Sequence, residues 1–285
     1  MMDVTLFQSH LDSYSCTNAE EEFNALREML QEMILASLSR TDFFSKAAFQ
    51  GGTRLRIFDG IRRYSEDLDF SLMSPDLSFE LRPYLDSIAT ELASMGIELE
   101  VVDKSKLTAA VKKGFLKNDT LVRILVLKYL GKDGQGKLPK IAIKLEVDAN
   151  PPLGATYCVE NLFFPFLAAI LNYDHESAFA GKMHALLCRD YVKGRDWFDF
   201  VWYVGAHIRL NHQLLSAALN QYGPWAGKGV VSDDSWVKEK LVETISRIDW
   251  EAAKRDVMSF VFASDRPSVK LWSKDLFLSL AQNAF

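Results

Sequence analysis

Apolar positions recur at helical spacing over residues 17–38, where Phe23, Leu26, Leu30, Met33, Ile34 and Leu38 form one stripe. Thr17-Asn18-Ala19-Glu20 ahead of it has the form of a capping box, so the pattern predicts a core-facing helix. Lys46 to Phe49 then reads as a short strand, Gly51-Gly52 as a turn, and Thr53 to Phe58 as the first turns of a second helix with Thr53 available as its cap. From Asp67 to Met73 the period changes to two, with Leu68 and Phe70 on one face and Asp67 and Asp69 on the other. Residues 79–95 carry Leu81, Leu85, Ile88, Leu92 and Met95 on one helical side, Gly96 ends that helix, and 97–102 reads as a strand. Residues 121–130 and 139–147 predict two further strands joined by a hairpin loop, Gly131 to Gly136. In the second of them Lys144, Glu146 and Asp148 alternate onto the face opposite Ile141, Ile143, Leu145 and Val147.

Asn150-Pro151-Pro152 breaks this pattern and is the candidate hinge between residues 1–150 and a mainly helical half, 151–285. A short strand pair near 157–162 and 167–171 precedes a helix over 175–188 with Lys182 at its centre. Arg195-Asp196-Trp197-Phe198-Asp199 opens another helix to about 207. Helices from Asn211 to Tyr222 and over 235–248, 249–262 and 270–284 complete an α+β reading, with Trp225, Trp236, Trp250 and Trp272 as packing anchors.

Composition is that of an ordinary globular chain of 285 residues, 48% hydrophobic and 25% charged. No apolar run is long enough to span a bilayer. The first residues lack the basic stretch and apolar core of a secretory signal. Cys16, Cys158 and Cys188 are odd in number and far apart, as free thiols of a reducing cytosol would be, and no histidine pairs with them at zinc-site spacing. A net charge of −5 argues against a general nucleic-acid coat. The charge is uneven, however: residues 104–144 hold eleven Lys or Arg against two acids, a net +9 that leaves −14 for the rest. That stretch reads either as strands with a solvated lysine face or as a footprint for a polyanion.

The chemistry concentrates in residues 50–70. Adjacent glycines let backbone N–H groups approach a phosphate, and a helix starting there adds its dipole. Two carboxylates at i, i+2 on a strand share a face and offer hard oxygens to magnesium, which also takes triphosphate oxygens. Arg54, Arg56, Arg62 and Arg63 bracket the loop, and at least one is expected to face the phosphates.

Gly51-Gly52-Thr53 followed by Ser65-Glu66-Asp67-Leu68-Asp69-Phe70 resembles the signature of the AbiEii/AbiGii/MenT-like nucleotidyltransferases, over roughly residues 40–205. These are toxins of bacterial toxin–antitoxin and abortive-infection systems, within the DNA polymerase β-type superfamily. The resemblance implies a polymerase-β-like mixed sheet with flanking helices in the N-terminal half, and Mg²⁺ or Mn²⁺ held by Asp67, Asp69 and Glu146, with Asp148 the alternative to Glu146. It implies an NTP over Gly51, Gly52 and Thr53, with Arg56, Ser65 and Lys182 on its phosphates. Asp199 would orient Lys182 or the base, and no core contact is expected to depend on the Lys182 ammonium. The implied acceptor is the tRNA 3′ end. A protein hydroxyl, or a silent binding module of the same fold, are the alternatives. A cognate antitoxin encoded nearby is the implied partner, in the cytoplasm and away from membranes.

Overall fold

A computed structural model describes residues 4–106, 109–118, 120–131 and 139–285. In chain order the elements begin with α1 (Val4–Ser13), α2 (Ala19–Leu38), β1 (Ala47–Gln50), α3 (Gly51–Asp59), β2 (Asp67–Leu72) and α4 (Arg82–Ser94). Then come β3 (Glu100–Asp103), β4 (Val111–Asn118), α5 (Thr120–Ile124), β5 (Ile141–Asp148), β6 (Tyr157–Leu162) and β7 (Ala168–Tyr173). Helices α6 (His175–Cys188), α7 (Gly194–Gly205), α8 (His212–Gln221), α9 (Asp234–Ile245), α10 (Trp250–Met258), α11 (Arg266–Lys270) and α12 (Lys274–Ala284) follow.

The seven strands form one mixed sheet in the order β3-β4-β5-β2-β1-β7-β6. At its centre β2 runs antiparallel to β1 and parallel to β5. The chain separates into two compact units. One comprises Met1–Phe58, Tyr64–Asn150 and Val159–Asn172; the other comprises Asp59–Arg63, Pro151–Cys158 and Tyr173–Phe285.

In the first unit α2 and α4 cover the sheet. Leu30 and Ile34 of α2, Leu85 and Ile88 of α4, and Leu68, Phe70, Leu145 and Val147 of the central strands are all buried in one cluster. Each such side chain contributes about 1.5–3 kcal/mol relative to exposure. This burial fixes which face of β2 is dry, and so leaves Asp67 and Asp69 together on the other.

Helix α2 differs from its expected start by one residue. Asn18, not Thr17, is the cap and accepts the Glu21 N–H at 3.0 Å, while Glu21 reaches back to the Thr17 N–H at 2.8 Å. A larger correction concerns residues 121–130, which form no strand. Asn118 caps a single helical turn there by accepting the Leu121 N–H at 3.1 Å. Beyond it the N–H groups of Lys128, Tyr129 and Leu130 all donate to the buried carboxylate of Glu22, at 2.7, 2.9 and 2.6 Å. Those amides are therefore unavailable to a sheet ladder.

The strand paired with β5 is instead β4, residues 111–118. Its buried face includes Lys112, whose ammonium donates to the carbonyls of Leu77 and Lys106 at 2.8 and 3.1 Å. The hairpin loop expected at 131–136 falls, from residue 132 onward, outside the described residues.

The second unit is predominantly helical. Its hydrophobic centre gathers Trp197, Phe200, Val257 and Phe277, with Trp250 stacked on Phe277 at 4.1 Å and Trp272 edge-on to it. Trp225 and Trp236 pack edge to face. Among the described residues no helix is long and apolar enough to cross a membrane.

Candidate active site

Helix α3 begins at Gly51 itself, two residues before the expected start, and Gly51 has φ +81°. That left-handed value favours glycine. A Cβ placed on Gly51 would also lie 2.6 Å from Oδ2 of Asp69. The first residue of α3 thus abuts a carboxylate of the acidic strand, and Gln50 is the register partner of Asp69 across the β1–β2 pair. The first-turn N–H groups of a helix have no acceptors within it, so this end is a positively polarised edge beside an acid. Gly52 and Thr53 complete that turn.

Thr53 is fully buried and does not cap the helix. Its hydroxyl donates to the carbonyl oxygen of Asp67, pinning the glycine turn to the head of β2. Gly51→Ala should therefore fail twice, through the backbone angle and through displacement of Asp69. We expect a stability loss of about 1–3 kcal/mol, measured by urea unfolding. Loss of nucleotide-dependent activity should exceed that loss of fold.

Asp67, Asp69 and Glu146 share one sheet surface. In the parallel β2–β5 register Asp67 pairs with Lys144, Asp69 with Glu146 and Ser71 with Asp148. Glu146 is thus the carboxylate directly beside Asp69. Asp148 lies one step along, where its carboxylate accepts the Asn150 N–H at 2.9 Å and burial pushes its carboxyl up.

Two lysines complete the patch. Lys144 Nζ lies 3.3 Å from Asp67 and 2.8 Å from Glu146, and Lys113 Nζ lies 2.7 Å from the other oxygen of Glu146. Burial disfavours the Glu146 charge, but hydrogen bonds from Lys113 and Lys144 outweigh it and hold the carboxyl below its usual range.

Among the described residues no three His, Cys, Asp or Glu side chains are gathered to hold a metal as they stand. The donor chemistry nevertheless suits magnesium. Asp67 and Asp69 are hard-oxygen donors on one face, and magnesium is commonly held by one or two carboxylates with phosphate oxygens filling further positions.

The arginines around the loop are committed to acids. Arg54 donates to Glu160 at 2.9 Å, Arg56 to Glu28 at 2.8 Å, and Arg62 to Asp265 at 2.7 Å. Arg56 also lies over the Tyr64 ring. The backbone turn, rather than a guanidinium, is what the geometry offers a phosphate. Ser65 presents its carbonyl to Gln31 at 3.2 Å.

Much of the basic stretch is likewise compensated within the first unit. Lys117 and Lys140 pair with Glu100, and Lys128 pairs with Asp12. The excess of +9 counted along the chain is a thinner field on the folded surface than the sequence suggests.

In the second unit Lys182, Asp196 and Asp199 form a buried ion network. Lys182 Nζ is 2.8 Å from each carboxylate. Asp199 also receives Arg63 in a two-pronged contact at 2.7 and 2.6 Å, and Asp196 receives Arg189. Asp199 is thus in contact with Lys182. The expectation that no interior contact depends on the Lys182 ammonium is wrong, because two buried carboxylates would each lose one of their cations with it. Burial works against the Lys182 charge, but Asp196 and Asp199 outweigh it and raise its pKa. Arg195 stacks over the Phe260 ring at 4.0 Å.

Burial also works against the Asp196 charge, but Lys182, Arg189 and Lys193 hold it below its ordinary 3.8. A depressed carboxyl stabilises the fold fully above that ordinary value and loses its contribution as pH falls below it. Stability of this unit should therefore decline on acidification below about pH 4. Asp196→Asn should show a shallower acid slope in tryptophan-monitored unfolding.

A family model described as nucleotidyl transferase AbiEii toxin, type IV TA system, matches residues 33–277. The fold is similar to that of MenT4, a nucleotidyltransferase toxin from Mycobacterium tuberculosis, at 16% identity, 99% of each chain and a TM-score of 0.53. It is also similar to JHP933 from Helicobacter pylori, at 16% identity, 94% of this chain, 92% of that one and a TM-score of 0.50. No curated protein sequence matches the chain.

Proposed function

Since the chain belongs to the AbiEii nucleotidyl transferase toxin family of type IV toxin–antitoxin systems, we propose that it transfers NMP from an NTP to an acceptor hydroxyl, with the acidic face of β2 as its centre. The observation that carries this reading is the approach of Asp69 to Gly51, which sets a carboxylate of the acidic strand against the start of a helix. The NTP triphosphate lies over Gly51, Gly52 and Thr53, where first-turn amides and the helix dipole face it. Asp67 and Asp69 hold Mg²⁺ or Mn²⁺, and Glu146 beside Asp69 is the third donor. When bound, the cation supplies charge neutralisation at the α-phosphoryl and the leaving pyrophosphate.

Glu146 suits a donor better than a proton acceptor. Its pKa is held low by Lys113 and Lys144, and a weak base removes a hydroxyl proton poorly. The Thr53 hydroxyl keeps the amide cradle and the acidic strand at fixed separation. Lys182 and Asp199 support the reaction through the integrity of their own unit, since both are already saturated by buried partners.

The acceptor we favour is an RNA 3′ end, with tRNA foremost, and membership of a toxin–antitoxin family implies an antitoxin partner. The purified chain, Mg²⁺ and four separately labelled NTPs, incubated with bulk RNA or with total protein, test this on a gel. Label entering a small-RNA band supports the reading, and label entering protein moves the acceptor to a side-chain hydroxyl. Label entering neither, from a folded protein, leaves a silent module of the same fold.

A further inference from the structure

The lysine between the acidic groups has no part in the chemistry proposed so far. Lys144 projects from β5 onto the same face as Glu146, and its ammonium sits against Asp67 of the neighbouring strand at 3.3 Å and against Glu146 at 2.8 Å. Its side chain is 28% exposed, with those of Asp67 and Glu146 at 34% and 21%. Asp67, Asp69 and Glu146 share one sheet face, and an ammonium between two of them offsets the repulsion of their like charges. Lys144 joins Asp67 to Glu146, while Lys113 reaches Glu146 from the other side.

We infer that Lys144 is a built-in counter-ion: it occupies the Asp67–Glu146 gap in the free protein, competes with a divalent cation there, and turns to phosphate oxygens when a nucleotide arrives. The inference rests on the reading of Asp67 and Asp69 as cation ligands. A cation entering between these carboxylates meets a resident positive charge on the same oxygens, so its affinity alone is held down. An incoming triphosphate removes that obstacle by giving the ammonium new acceptors, and cation and nucleotide then bind with positive coupling. A flexible lysine stem allows the exchange, because the ammonium can swing between acceptors without moving β5. The arrangement would disfavour loading by the cation alone.

The test is Mn²⁺ binding to the full chain, followed by loss of the free-ion electron paramagnetic resonance signal, with no nucleotide and no turnover. Lys144→Met should bind Mn²⁺ at least about fivefold more tightly than the unaltered protein, since a like charge at ion-pair distance has been removed. Lys144→Arg, which keeps the charge, should remain as weak as the parent. Lys113→Met, which touches Glu146 but not Asp67, should tighten the affinity by a smaller factor than Lys144→Met. Asp69→Asn should lose the binding. Adding a non-hydrolysable NTP should tighten Mn²⁺ binding in the parent by a larger factor than in Lys144→Met.

Equal or weaker Mn²⁺ binding by a folded Lys144→Met protein, with binding still lost in Asp69→Asn, overturns the counter-ion role and leaves the cation site standing. Equal tightening in Lys113→Met and Lys144→Met also overturns it, because the effect is then one of net charge. Mn²⁺ binding that is indifferent to Asp69→Asn, or absent from every variant, removes the cation site and the counter-ion role with it.

Discussion

Asp69→Asn should abolish nucleotidyl transfer while leaving the protein folded. The substitution keeps the shape of the side chain against Gly51 and removes only its charge, so the close approach that defines the turn survives. What disappears is an anionic oxygen donor beside the start of α3, where the triphosphate is proposed to lie. Cation stabilisation of a phosphoryl transition state amounts to several kcal/mol. We therefore expect incorporation of labelled NMP to fall by at least about a thousandfold, equivalent to roughly 4 kcal/mol. Asp67→Asn should do the same, with the added effect of freeing one contact of Lys144.

Stability should barely move, because crowded like charges are relieved when one is neutralised. The tryptophans provide an internal control: all six (Trp197, Trp202, Trp225, Trp236, Trp250 and Trp272) belong to the second unit. Their fluorescence transition should be unchanged in Asp69→Asn, and far-UV circular dichroism should report an intact sheet. Retention of more than about a tenth of parental transfer by either variant would falsify the metal role. Toxicity on expression should disappear in step with transfer.

The acidic strand was legible because two periods coincided. The alternation of Asp67-Leu68-Asp69-Phe70 fixed a wet and a dry face, and its distance from Gly51-Gly52 fitted a short helix between turn and strand. Alternation in β5 put Glu146 and Asp148 on one face, the family resemblance favoured Glu146, and the register places it beside Asp69.

The misread stretch shows where local pattern ends. Residues 121–130 are apolar enough for a strand, but their amides are claimed by Glu22, about a hundred residues earlier in the chain, and nothing in a local window reveals that. Strand β4 escaped for the converse reason. A lysine on its dry face breaks the apolar alternation, and only the carbonyls of Leu77 and Lys106 make that burial tolerable. The partners of the arginines were not legible, because a guanidinium near a glycine turn suits phosphate and carboxylate equally. Here Glu28, Glu160, Asp265 and Asp199, each distant in sequence, took them. The signal for Asp199 lay in its partner all along: a buried carboxylate in α7 requires a cation, and Arg63 is 2% exposed.

That pair supports the second large effect, a loss of about 3–5 kcal/mol on Asp199→Ala. Both members are buried, so removing one takes a charge partner from the other in a poor dielectric, where water does not replace it. The loss should be confined to the second unit, and the tryptophan-detected urea transition should move to lower denaturant accordingly. Arg63→Met should cost less than Asp199→Ala, because Lys182 remains on Asp199 at 2.8 Å, whereas deleting the aspartate takes an acceptor from both Arg63 and Lys182.

A double-mutant cycle separates the pair from its setting. Arg63→Met with Asp199→Leu replaces ions by apolar groups and should be less destabilised than the sum of the single changes. Additive losses would mean that the two groups contribute independently and that the ion network is incidental to the fold. Lys182→Met completes the comparison. If its only task is to satisfy Asp196 and Asp199, transfer per folded molecule should persist at temperatures below its lowered transition. Loss of transfer with the tryptophan transition intact would instead show that Lys182 has a task beyond holding its two carboxylates.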